Sequence, residues 1–146
     1  MIEIKNRKAK FNYEILETYE TGIELKGTEI KSIRRGNSNL TDSYGIIKNN
    51  EIYLLNMFIN KYEEGNRFNH EETRTRKLLL HKKEIKKLGV ALEQKGFTLV
   101  PLKLYFKDSK AKILLGLAKG KHTYDKRKTI KQRDIDRDIK KEMKYR

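Results

Sequence analysis

A mainly β fold, built as a small closed antiparallel barrel with one or two short helices and a basic C-terminal tail, is predicted by three observations. Short segments alternate apolar and polar residues, turn-forming Asn, Gly and Asp separate them, and apolar content is lean. Hydrophobic residues make up 36% of the 146 and charged residues 38%, so one compact body with a crowded charged surface suits the balance.

Taken in order, alternation predicts strands over Phe11 to Tyr19 and Thr21 to Leu25, joined as a hairpin near Gly22. Thr28, followed by Ile30 and Ile33 at a spacing of three and by Gly36 as a stop, predicts one short helix capped by the threonine. A second hairpin is expected from Ser43 to Lys48 and Glu51 to Asn56 around Asn49-Asn50, because asparagine tolerates the left-handed backbone such turns demand. Lys61 to Thr75 is polar and without period, and reads as a long surface loop. Ile85, Leu88 and Leu92 share one face of a helix expected over Lys82 to Lys95, weakened at Gly89 and stopped at Gly96. Phe97 to Lys107 and Ala111 to Lys119 flank a turn at Asp108 to Lys110, with Pro101 expected at an edge or bulge. Several short antiparallel strands with one or two helices indicate a barrel of the OB kind, over residues 1–118.

From Lys119 the character changes. Residues 119–146 hold twelve Lys and Arg against five Asp and Glu, a net of +7 out of +15 for the whole chain. Ile135, Ile139 and Met143 make an apolar stripe too narrow to hold a helix unaided, so this tail is expected to become helical on binding.

A net charge of +15 and a pI near 9.9 point to a polyanionic partner, with nucleic acid the default. Apolar runs such as Leu78 to Leu80 are far too short to span a bilayer, so no membrane partner is expected. The N-terminal MIEIKNRKAK lacks the apolar core of a secretory signal, which predicts a cytoplasmic protein. Without cysteine there is no disulfide framework, zinc knuckle or thiolate nucleophile. His70, His81 and His122 share no ligand spacing, and Asp134, Asp136 and Asp138 lack the glycine and terminal glutamate of a calcium loop. No nucleophile with its base, paired carboxylates or P-loop stands in a recognisable context, so no catalytic residue, metal or cofactor is expected. Basic clusters at Lys5 to Lys10, Arg74 to Lys77 and Lys126 to Lys128 could neutralise phosphates, and Tyr124, between GKH and DKRK, could stack on a base.

Five ordered motifs carry a resemblance that runs over almost the whole chain. They are NRKA at Asn6 to Ala9, ETGIELKGTEIKSIRRG at Glu20 to Gly36, DSY at Asp42 to Tyr44, TRTRKLLLHKKEI at Thr73 to Ile85, and GLAKGKHTYDKRKTIK at Gly116 to Lys131. Together they resemble the small protein B family, the tmRNA-binding (SsrA-binding) proteins of bacterial trans-translation. The resemblance implies an OB-like barrel that grips the tRNA-like domain of tmRNA in place of a missing anticodon arm. It also implies a tail that lies as a helix in the empty mRNA channel past the ribosome decoding centre and senses that no codon remains.

Carried over by position, the resemblance puts Asn6, Arg7, Lys8, Glu20, Lys31, Tyr44, Arg74, Arg76, Lys77 and Leu79 on the RNA face. It puts Lys119, Lys121, Tyr124, Asp125, Lys126, Arg127, Lys131 and Arg133 in the ribosome-binding tail. From the residues alone, Glu20 reads as an exposed turn carboxylate and Leu79 as a core leucine; the resemblance reverses both. A glutamate on a basic surface repels phosphate, so its use must be selective for base amino groups or a ribose 2′-hydroxyl. Glu72 before TRTRK and Lys61 before Tyr62 depart from the prolines common in the family. Elongation factor Tu and alanyl-tRNA synthetase are implied as indirect partners through the RNA, and the protein is expected to be a monomer. The rival reading is a structural ribosomal protein, which would be present at one copy per ribosome.

Overall fold

The structure, a computed structural model, describes residues 2–64, 69–94 and 96–120. The elements run β1 (Glu3–Lys5), α1 (Ala9–Asn12), β2 (Tyr13–Ile23), α2 (Gly27–Arg34), β3 (Ser38–Asn39), β4 (Tyr44–Lys48) and β5 (Glu51–Leu55). They continue with β6 (Phe58–Ile59), β7 (Arg76–Leu79), α3 (Lys82–Leu92), β8 (Phe97–Lys107) and β9 (Lys110–Gly120). Strand neighbours follow the order β8-β4-β5-β7-β2-β9, and β9 pairs back onto β8, so an all-antiparallel ring closes as expected. β1 lies outside the ring on β8, and β3 pairs with β6 as a separate ribbon. Leu54, Ile52, Leu78, Leu99, Leu104 and Ile113 fill the interior, joined by Ile33 of α2 and Leu88 of α3.

The Asn49-Asn50 hairpin forms as predicted, with φ of 52° and 61° at the two asparagines. The last hairpin turns at Asp108 and Ser109, with φ of 51° and 66°. Pro101 sits where the β8–β9 register slips, the bulge its missing N–H requires. α3 carries Ile85 and Leu88 inward and ends at Leu92; Gly96 follows with φ of 89°.

Two expectations fail. The hairpin predicted over Phe11 to Leu25 is a single strand, β2, and Phe11 belongs to the one-turn α1 before it. A register slip between Ile15 and Glu17 leaves Leu16, Glu17 and Thr18 exposed in succession and breaks the alternation. Gly22 marks close packing: a Cβ there would lie 3.2 Å from the Cβ of Leu79 on β7. Thr28 also does not cap α2. The helix starts at Gly27 with Lys26 as its cap, two residues earlier than expected; the Glu29 carboxylate accepts from the Lys26 backbone N–H at 2.7 Å, and Thr28 Oγ1 lies 2.9 Å from His70 Nδ1. With its Nε2 at 2.8 Å from the Ile59 carbonyl, buried His70 is fully engaged in holding the loop.

Candidate nucleic-acid interface

Glu20 and Leu79, 59 residues apart in sequence, meet in one groove of about 670 Å³. β2 and β7 bring them together, because the pairs Gly22↔Leu79 and Ile23↔Leu78 set the register. Leu79 is 47% exposed, which removes the core reading of this leucine. Its neighbour Leu78 points inward with 1% exposure, as strand alternation requires. Ile23, Leu25 and Ile30 extend the apolar lining, while Lys110 and Lys112 of β9 add positive charge.

The Glu20 carboxylate is held from the neighbouring face of the barrel. Tyr105 Oη donates to its Oε1 at 2.5 Å, and Lys107 Nζ lies 3.5 Å from its Oε2. The Tyr105 hydrogen bond first, and then Lys107 and Lys112, hold the carboxyl below the usual range against a partial loss of hydration. Burial, and then Glu20 itself, push the Tyr105 phenol up to about 12. The pair therefore stays a phenol donating to a carboxylate at neutral pH.

A second concavity, about 300 Å³, gathers Asn6, Lys8 and Tyr44 beside Asn12, Asp42 and Thr98. Tyr44 is exposed; its placement follows from Asp42 at φ 58° and from Ser43 Oγ donating to the Leu40 carbonyl at 2.6 Å. Asn6 Nδ2 is spent within the fold, donating to the carbonyls of Pro101 at 2.9 Å and Leu40 at 3.3 Å. Arg7 faces another hollow with Lys5 and Gly36. Exposed Lys31 lies 5.5 Å over the Tyr62 ring, which Arg35 also covers at 4.6 Å.

The RTRK cluster is not one basic patch. Arg76 is fully buried, with Nε 2.7 Å from Glu29 Oε2 and Nη1 donating to the Met57 carbonyl, so it stands inside the fold and away from any RNA surface. Arg74 holds the other Glu29 oxygen at 2.7 Å, and Lys77 pairs with Glu51 at 2.7 Å. A basic tetrapeptide reads as surface by composition, whereas period two in β7 sends Arg76 inward to the buried acid. Lys119 also needs correction: it is the penultimate residue of β9, paired with Glu14 and Phe97, so the barrel runs to Gly120. Lys121, Tyr124, Asp125, Lys126, Arg127, Lys131 and Arg133 lie outside the described residues.

Tyr105, Lys107 and Lys112 were missed from the sequence. A signal for two of them existed, since Lys103, Tyr105 and Lys107 alternate along a strand and so share one face. Only the tertiary register places that face beside Glu20.

With this geometry in view, the whole-chain comparison is decisive: the SmpB protein family matches residues 3–145. The chain belongs to the SmpB family. An SsrA-binding protein of Gloeothece citriformis is 60% identical over 140 residues, covering 95% of this chain and 90% of that protein. An SsrA-binding protein of Staphylococcus aureus is 57% identical over 142 residues, covering 97% and 92%. A chain from a solved structure of tmRNA-SmpB and the bacterial ribosome is 52% identical, with a TM-score of 0.71 over 83% of this chain and 85% of that one. This SmpB-family barrel therefore shares its ring of strands with a relative solved in that context.

Proposed function

We propose that the chain is an RNA-binding adaptor. It binds the tRNA-like domain of tmRNA and delivers it, charged with alanine, to stalled ribosomes for trans-translation. The observation that carries this reading is the groove where exposed Leu79 faces Gly22 beside a carboxylate pinned among lysines. Lysines draw a polyanion in, and the carboxylate then rejects phosphate and accepts base or ribose donors, which converts general attraction into selection of one RNA. The names of the relatives, SsrA-binding protein, supply the RNA.

Residues 1–120 form the RNA-binding barrel in this reading, and residues 121–146 form the tail that senses the empty mRNA channel beside the decoding centre. Elongation factor Tu and alanyl-tRNA synthetase meet the adaptor only through the shared RNA. The protein works as a cytoplasmic monomer without metal, cofactor or catalytic step of its own.

Sequencing the RNA recovered with the purified full-length protein tests the proposal. One dominant tRNA-like species is expected. Ribosomal RNA at one protein per ribosome, or no preferred transcript, overturns it in favour of a structural or nonspecific role.

A further inference from the structure

The structure assigns Tyr105 as a positioning residue for Glu20: its hydroxyl aims and anchors the carboxylate that reads RNA donors in the Leu79 groove. The inference rests on the functional reading above and adds a residue and a mechanism to it. A glutamate on a strand surface ordinarily samples several rotamers, and holding it for recognition costs entropy at the moment of binding. Here that ordering is built in beforehand. Tyr105 Oη donates to Oε1 at 2.5 Å, which leaves Oε2, 3.5 Å from Lys107 Nζ, with open acceptor capacity.

Tyr105 is itself well braced. Its backbone lies between Glu3 of β1 and Lys112 of β9, so strands flank it on both sides. Lys103 Nζ covers its ring at 5.3 Å and is tied to Glu3 at 3.5 Å. An exposed hydrogen bond of this kind adds little to folding stability. Its effect falls on the direction in which the carboxylate points, and through that on which RNA is accepted.

Full-length wild type, Tyr105→Phe, Glu20→Gln and the double variant are titrated with a transcript of the tmRNA tRNA-like domain and with a generic RNA duplex. Thermal unfolding is recorded for each. Tyr105→Phe keeps the ring, and with it any stacking, so a loss reports the hydroxyl alone. The expected result is a roughly tenfold loss of affinity for the tRNA-like transcript in Tyr105→Phe, little change for the duplex, and an unchanged melting temperature. The double variant should bind no more weakly than Glu20→Gln alone. If Glu20→Gln weakens binding while Tyr105→Phe matches wild type, or if the two losses add in full, the positioning role is overturned and the functional reading survives. A wild-type protein with no preference for the tRNA-like transcript overturns the functional reading, and this inference with it.

Discussion

Glu29 shows how one side chain can commit a molecule this rich in cations to a single arrangement. Burial pushes its carboxyl up, but hydrogen bonds from Arg74, the Lys26 backbone N–H and Arg76 outweigh that and hold it below the ordinary range. Glu29→Gln leaves Arg76 buried without its counter-ion, and thermal or urea unfolding should record a loss of about 3–5 kcal/mol. Arg74→Ala should cost less, because that guanidinium is partly solvated. Glu51 is the half-buried counterpart: Lys77 and Lys82 lower its carboxyl from 4.5 to about 2. A depressed carboxyl stabilises above its unfolded value and loses that effect as the pH falls through the folded one, so this contribution fades between about 4.5 and 2. Unfolding scans across that interval should show a shallower acid limb in Glu51→Gln than in wild type. At this scale the sequence was a partial guide. The NRKA and TRTRK motifs single out basic segments, yet nothing local distinguishes Arg76, fully buried on Glu29, from the partly solvated Arg74 two residues earlier that holds the same carboxylate.

Among the elements, hairpins were the easiest to read because their turns demand residues with positive φ. Asn49, Asn50 and Asp108 announce themselves by type. Ser109, at φ 66°, is the least suited of the turn residues, so Ser109→Gly should raise stability by about 0.5–1 kcal/mol in denaturant unfolding. Gly89 lies mid-helix in α3, where an added Cβ would meet only Ile47 Cδ1 at 3.9 Å. Gly89→Ala should therefore stabilise by about 0.5–1 kcal/mol, read as a higher melting temperature. β2 was harder to read for two separate reasons. Its bulge interrupts the two-residue period, and Gly22 imitates a turn while serving contact with Leu79. The groove was half legible for a related reason: Glu20 and Leu79 lie in motifs, but the Tyr105 that holds Glu20 sits 85 residues away and is brought close only because β9 pairs with both β2 and β8.

The whole molecule carries +15, so its affinity for RNA should fall linearly on a log-log plot against salt. If about six phosphates are neutralised, the loss between roughly 50 and 200 mM salt is on the order of a thousandfold, measurable by filter binding. A chain ending at Gly120 should keep both the wild-type melting temperature and most of its affinity for the tRNA-like transcript. One ending at Ala118 should melt lower, because it strips the pairs of Lys119 and Gly120 with Glu14 and Tyr13. Within the β2–β9 ribbon, Glu20 faces Leu114 and Tyr13 faces Gly120. At about 3.4 Å per residue, the Glu20 residue and the end of β9 at Gly120 sit some 20 Å apart along one ribbon. The barrel would thus serve as a ruler in the proposed reading: an RNA seated at Glu20 would have its distance from the point where residue 121 begins already dictated by the ribbon.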